Sequence, residues 1–494
     1  MNFFVGLDIG TTGIKGILVD EDGKIQAIEG ERLALFTPQP GWSEQDPQEW
    51  WSAAKEVLKK LSQRAKQMNG EIRAISTSGQ MHSLVTLDEN GEVLRSAILW
   101  CDQRTHLQCE KITQSLGGEE KVLQRVGNSI LPGFTLPKIL WVRENEQQIY
   151  EKIDKILLPK DFINYMLTNE IATDHSDASG TMLYNIFEMN WDREVLKVLD
   201  IPREMLPKIV ASNEIIGRVK KDLCEELELD ERTIVVAGGA DNACAALGIS
   251  VTEPGDIMIS LGTSGTVLGP TLGRDPDPEG RVHFFAHTVS QTRYHMGVTL
   301  SATYSLEWFK ERFLNADYQT INEEVQKIPI GSNGVIFLPY LNGERSPHKD
   351  PHARGVFFGL SSFNGKWDLV RAIFEGVAFG IRDSFEVLKE IGICAENVRI
   401  TGGGSKSPVW NAMLADVLNT EIQKPLIDEG ASYGAAILAF SGFEGVDPAE
   451  ISKTWFRIKD RTKPQSENTE KYEKAYHKFR EIYRTLKDLF RPNT

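Results

Sequence analysis

No CxxC pair occurs in these 494 residues, and the five cysteines (Cys101, Cys109, Cys224, Cys244, Cys394) are odd in number and scattered. A disulfide framework and a zinc site are not indicated, and a reducing, cytoplasmic setting fits best. No apolar run approaches the ~20 residues of a membrane span. At the N-terminus Asp8 interrupts the apolar stretch and no basic segment precedes it, so a secretory leader is not expected. Positive charge is in deficit: 55 Lys and Arg stand against 70 Asp and Glu, a net −15. That balance argues against a nucleic acid or an anionic membrane as partner. No low-complexity linker interrupts the chain. What remains is 41% apolar and 25% charged, the composition of a soluble globular protein. Its length exceeds what one hydrophobic core supports, so two domains are expected.

What the chain does have is a pair of similar turns. In GLDIGTTGIKGILVDEDG (6–23) an apolar strand ends in an aspartate and a Gly-Thr-Thr-Gly turn, a second apolar strand follows, and Asp22-Gly23 gives a hairpin signal. Backbone N–H groups, hydroxyls and a carboxylate at the edge suit phosphate oxygens with a nearby metal ion; an ordinary Gly-rich hairpin accounts for this stretch equally well. The echo matters more. SLGTSGTVLGP (260–270) repeats the pattern, one copy per half, which suggests a duplicated domain offering two phosphate-holding turns to a shared cleft. Before it, VVAGGADNACAALG places Asp241 after small residues that permit close approach. After it, ITGGGSKSPVWNAMLAD reads as strand, glycine turn and a helix N-terminus facing a ligand, or as simple strand-to-helix packing.

Strand-like stretches at 72–78, 234–240, 256–265 and 398–404 alternate with amphipathic helical patterns at 47–67, 303–315 and 368–391. Alternation of this kind predicts α/β architecture with buried sheets. A last helix over roughly 465–490 carries Tyr472, Tyr476, Phe479, Ile482, Tyr483 and Leu486 on one face, and Arg274–Gly280 reads as a surface loop.

Taken in order along the chain, these turns, together with GFTLPKILWVREN (133–145) and GVFFGLSSFNGKWDLVRAIFEG (355–376), resemble the FGGY family of sugar kinases, within the larger group sharing the actin and Hsp70 ATPase fold. Several stretches are most similar to its D-xylulose kinases: GWSEQDPQEWW (41–51), SGQMHSLV (78–85), ILWCDQR (98–104), the segment 157–181 and YLNGERSPHKDPHARGVFFGL (340–360). Met81-His82-Ser83 is shared with gluconate kinases, so gluconate or another ketose stays open beside D-xylulose. The resemblance implies two actin-like, ribonuclease H-like ATPase domains, 1–245 for the sugar and 246–494 for the nucleotide, with the active site between them. It implies ATP and Mg²⁺ as cofactors and a small-molecule sugar as partner, and it leaves a homodimer open.

Residue by residue, the resemblance assigns Asp241 as the base that accepts the sugar hydroxyl's proton and Asp8 as the carboxylate that holds Mg²⁺, often through waters. Thr11 and Thr12 would donate to phosphate oxygens from the first turn, Gly262 and Thr263 from the second. Gly402, Gly403 and Gly404 would let the nucleotide lie close to the backbone. Met81, His82, Asp241 and Asn242 match the ketose-binding positions. An isolated histidine is most often structural, but Gln80-Met81 beside His82 reverses that here. Asp46, Pro47 and Glu49 read as a helix start. His348 and His352 lack a third ligand for a metal. Gly359…Gly365-Lys366 departs from a P-loop in spacing and in having Trp367 after the lysine. Trp100, Asp102 and Arg104 either line the sugar pocket or brace it. A chaperone-like or filament-forming ATPase of the same fold is the rival class; it would have no use for Gln80-Met81-His82 and Asp241-Asn242 facing one cleft.

Overall fold

A computed structural model describes residues 1–491. The chain begins with β1 (Asn2–Ile9), β2 (Gly13–Val19) and β3 (Ile25–Arg32), followed by α1 (Pro47–Gln67) and β4 (Glu71–Gly79). Next come α2 (Thr135–Asn145), α3 (Pro159–Thr168), β5 (Ile215–Arg218), β6 (Ile234–Ala240) and α4 (Asp241–Gly248). The second half supplies β7 (Gly255–Leu261), β8 (Gly265–Thr271), β9 (His283–Ala286), β10 (Arg293–Thr299) and α5 (Thr303–Phe313). It continues through α6 (Lys366–Glu390), β11 (Ala395–Thr401), α7 (Pro408–Leu418), β12 (Ile422–Pro425), α8 (Ala431–Glu444), β13 (Ile458–Thr462) and α9 (Ser466–Leu486).

Two mixed sheets result. The first has the order β5-β6-β4-β1-β2-β3, the second β9-β10-β8-β7-β11-β12-β13. They share one plan. In each, an antiparallel hairpin (β1-β2, β7-β8) is extended by antiparallel strands on one side (β3 in the first sheet, β10 and then β9 in the second) and by two parallel strands on the other, and the far edge is antiparallel. The repeated Gly-Thr turn in the sequence is the bend of the corresponding hairpin in each sheet.

β1 is buried on both faces, as expected of a central strand covered by helices. Phe3, Val5 and Leu7 share a core with Trp50, Val57, Leu58 and Leu61 of α1. Phe4, on the other face, packs edge-on to Phe440 of α8 at 4.9 Å. Each such aliphatic burial contributes about 1.5–3 kcal/mol. Asp46 starts α1 by accepting the Gln48 N–H at 2.9 Å with Pro47 at its first position, and Glu49 adds first-turn charge.

α8 belongs to the second half of the sequence yet covers the first sheet. The approach requires glycine: a Cβ on Gly6 would lie 1.9 Å from the Ser432 carbonyl oxygen, and one on Gly434 1.8 Å from that of Cys244 in α4. The last helix packs back through Tyr472, Tyr476, Phe479, Ile482 and Tyr483, as its sequence pattern predicts. Among the described residues no helix is long and apolar enough to cross a membrane.

Candidate active site

The first turn places Asp8 near the end of β1, directly opposite Lys15 of β2. Lys15 reaches across to the second half and pairs with Glu429 at 2.5 Å. Asp8 Oδ1 is buried without a hydrogen-bond partner among the described residues. Burial pushes the Asp8 carboxyl up to about 6, against the opposing pull of Lys15.

Thr11 is committed to a network. Its hydroxyl donates to Gln80 Oε1 at 3.0 Å and accepts from Trp100 Nε1 at 2.9 Å, while its carbonyl accepts from Gln45 Nε2 at 2.7 Å. The Thr11 hydroxyl hydrogen is therefore already spent on Gln80. Thr12 closes the turn, its carbonyl accepting the Leu33 N–H.

β4 ends at Gly79, and Gln80, Met81 and His82 follow. Gln80 is buried and braces Thr11 rather than facing a ligand. His82 sits in the left-handed region, φ 69°, an uncommon conformation for a residue with a side chain. The surroundings fix it there. The Thr135 hydroxyl and the buried Lys138 ammonium of α2 both donate to the His82 carbonyl, at 3.0 and 2.9 Å. Phe134 packs edge-on against the imidazole at 4.6 Å. The ring lies 2.7 Å from the Gly180 carbonyl through Nδ1. Burial holds the imidazole pKa down to about 3, so the ring is neutral, Nδ1–H donates to Gly180, and Nε2 is left as an acceptor.

Asp241 is the first residue of α4. The strand end before it is pinned from segment 157–181: the Ala240 N–H donates to Ser176 Oγ at 2.9 Å, and that hydroxyl donates to Asp174 at 2.5 Å. Asp174 in turn lies 3.1 Å from Lys160, which also contacts Asp161 at 2.6 Å, all fully buried. Asn242 donates twice to Asp241 Oδ1, from its backbone at 2.6 Å and its side chain at 2.9 Å, which leaves Oδ2 for a ligand. Burial first, and then the charge of Asp8, push the Asp241 carboxyl up to about 7.

His82, Asp241 and Asn242 meet at a cavity of about 230 Å³, whose lining does not include Asp8, Thr11 or Thr12. Met81, His82, Asp241, Asn242 and Gly262 of the sequence-predicted set line it, with Trp100, Phe134, Ser264, Met296 and Arg345. Thr263 lies between two lining residues of the second turn. Gly402, Gly403 and Gly404 are outside the cavity, where the chain leaves β11 beside β7; Gly402 and Gly404 stand against Leu261. Trp100 lines the cavity. Asp102 and Arg104 brace it from behind, bonded to each other at 2.7–3.0 Å with the guanidinium 3.6 Å over the Trp42 ring. Ser83 is buried and accepts the Trp100 N–H at 3.2 Å. Phe134, Lys138, Gly180 and Arg345 are functional neighbours that residue-level reading of the sequence did not single out. All four stand in stretches named above (133–145, 157–181 and 340–360), but only tertiary structure shows that Phe134 and Arg345 line the cavity while Lys138 and Gly180 hold His82.

The buried, unpartnered Asp8 Oδ1 and the raised Asp241 form a donor set of hard oxygens in need of positive charge, which fits a divalent cation such as Mg²⁺.

Comparison with known proteins shows the family. Residues 3–248 match the N-terminal domain of the FGGY family of carbohydrate kinases and residues 257–443 its C-terminal domain. A xylulose kinase of Bacillus subtilis (strain 168) is 38% identical over 493 residues, covering 99% of this chain and 98% of that protein. A crystal structure described as a xyloylose kinase from Brucella ovis superposes with a TM-score of 0.93 at 35% identity, covering 99% of this chain and all (100%) of the other. A gluconate kinase from Lactobacillus acidophilus superposes with a TM-score of 0.91 at 28% identity, covering 98% of each.

Proposed function

The chain belongs to the FGGY family of carbohydrate kinases, a family of phosphotransferases, and from that premise we propose that it transfers the γ-phosphoryl group of ATP to D-xylulose, giving D-xylulose 5-phosphate. The observation that carries this reading is the convergence of a raised carboxyl, Asp241, and a neutral imidazole, His82, on one cavity of monosaccharide size.

Asp241 Oδ2 takes the proton of the sugar hydroxyl as its oxygen forms a bond to the γ-phosphorus and the bond from that phosphorus to the β,γ-bridging oxygen breaks. A base near neutrality suits that task. His82 Nε2 accepts from a second hydroxyl and Asn242 supplies another polar contact. Met81 and Phe134 give an apolar wall, and Trp100 closes one side. Asp8 would hold Mg²⁺, which when bound neutralises charge on the nucleotide phosphates. The N–H groups of Thr11 and Thr12 in the first turn and of Thr263 in the second face the phosphates, the Gly262 N–H being spent on the Ser264 carbonyl at 3.0 Å, and Gly402–Gly404 admit the nucleotide. The half before residue 245 carries most sugar contacts and the half after it the nucleotide, with Arg345 and Met296 reaching back to the sugar. Full-length similarity to xylulose kinases supports the substrate.

Arg345 favours a second reading. It faces the cavity without an ion-pair partner among the described residues, so an aldonate carboxylate such as gluconate would find a complement there. Ser83, shared with gluconate kinases, does not line the cavity but supports Trp100, which does. A coupled ADP-release assay with pentuloses, hexuloses and aldonates decides. D-xylulose should give the highest kcat/KM and ATP turnover should collapse without sugar. A higher kcat/KM for gluconate, or sugar-independent turnover, would overturn the reading.

A further inference from the structure

A second and larger cavity, of about 900 Å³, lies on the second half and shares no lining residue with the first. The C-terminal half of α6, the loop after Pro347 and one face of α9 enclose it. α6 ends just before β11 begins, whereas Gly402 follows the other end of that strand, ~20 Å along at ~3.3 Å per residue. The cavity is therefore remote from the nucleotide turn.

Six Lys and Arg side chains line it against four carboxylates, an excess of cations in a chain of net charge −15. α9 presents Arg480 and Arg484, one helical turn apart, toward the cavity, and Lys487, just past the end of α9, adds a third cation. Arg480 has Asp383 at 3.8 Å, and Arg281 on the opposite wall is held by Asp277 and Glu390 at 3.0 and 2.7 Å. Arg484 and Lys487 are exposed and pair with no carboxylate among the described residues. Neighbouring like charges repel, and an anion between them removes that cost. The floor is aromatic: His348 and Tyr483 stack at 3.8 Å between centroids. Tyr483 donates to Asp350 at 2.9 Å, and the Tyr340 hydroxyl meets His348 Nε2 at 3.1 Å.

The same loop reaches both cavities. Glu344 and Asp350 exchange backbone hydrogen bonds at 2.8 Å each, and the Lys349 N–H donates to the Arg345 carbonyl at 2.6 Å. Arg345 enters the sugar cavity while His348, Lys349 and Asp350 line the other. A shift of the stacked floor is thus carried by one short closed loop to Arg345.

We propose that this second cavity binds a small phosphate ester, its dianion held by Arg484 and Lys487 and its organic part on the His348–Tyr483 floor, and that its occupant changes sugar affinity through the 344–350 loop. Guanidinium and ammonium donors suit a phosphate dianion. The binding part is independent of which sugar the cleft accepts; the coupling part rests on the sugar-cavity reading above.

Calorimetry on the full chain, with the cleft filled by Mg-ADP and D-xylulose, tests the binding part, using ribose 5-phosphate as the probe and inorganic phosphate as the control. The parent should bind one ribose 5-phosphate per chain. Arg484→Gln/Lys487→Gln, which alters two exposed side chains, should weaken that binding at least about tenfold, the loss of roughly one charge-assisted contact, with basal kcat unchanged. In steady state, saturating probe should shift the sugar KM of the parent and leave that of the double variant unmoved. Three results would overturn the site: no binding in the parent, equal binding by the variant, or inorganic phosphate binding as tightly as the ester. A double variant that changes oligomeric state in ultracentrifugation instead of probe binding would make the cavity a face between copies and overturn it as well. Binding with an unmoved sugar KM would overturn the coupling.

Discussion

Asp8 and Asp241 stand together at the C-terminal ends of three neighbouring parallel strands inside the first sheet. Asp8 pairs in register with Ser78, Ser78 pairs with Gly239, and Asp241 opens the helix that follows. The charge of Asp8 adds to the burial that raises Asp241. Two carboxylates so placed oppose each other until a cation or a proton arrives.

This has a consequence for stability. The ordinary value for both groups is 3.8, and in the folded chain they rise to about 6 and about 7. Between pH 4 and 7 the folded state holds protons that the unfolded chain has released, so stability falls as pH rises through that window. Above pH 7 both charges work against folding. Asp241→Asn removes one of them. Without ligands at pH 8 its Tm should exceed the parent's by about 2 °C or more, and the two should converge below pH 4. Thermal melts across pH check this; a parent-like or lower Tm at pH 8 contradicts it.

Removing the neighbouring charge should move the base. In Asp8→Asn the Coulombic contribution to Asp241 is gone while burial remains, so the Asp241 pKa falls part of the way toward its ordinary value. The acid limb of the residual kcat/KM profile should therefore shift to lower pH, alongside a weakened dependence on Mg²⁺. An acid limb that stays in place would show that Asp8 does not set the base.

Much of this arrangement was legible in the sequence, and the reason is local. β6 spans the predicted 234–240 and α1 the predicted 47–67, because period-2 and period-3.6 apolar patterns with Asp46-Pro47 leave little choice. The repeated Gly-Thr turns announced the duplicated hairpins. The coverage of the first sheet by α8 was hidden, because residues 431–444 are buried almost all round and show no face. Thr11 was misleading for a similar reason. Its hydroxyl reads as a phosphate donor until Gln80 and Trp100, far along the chain, are seen to claim it. Arg345 was invisible as a sugar-cavity residue because a lone arginine in a turn carries no pattern.

Gly180 offers a test of substrate positioning that leaves the nucleotide side alone. A Cβ there would lie 2.7 Å from His82 Nδ1 and 2.8 Å from Met81 Cε. Gly180→Ala should displace the imidazole and raise the sugar KM or lower kcat/KM for sugar by about tenfold or more, with the KM for ATP changed little. Steady-state kinetics in both substrates separate the two; equal losses for sugar and ATP would indicate a general folding defect.

The central claim is that Asp241 is the base in a sugar-dependent phosphoryl transfer. Its most direct test is D-xylulose-dependent ADP release by Asp241→Asn, measured beside calorimetric binding of D-xylulose to the same variant. Turnover should fall by about 10²–10⁴-fold, the usual worth of a general base, while the sugar still binds. Turnover within a few-fold of the parent would contradict the assignment.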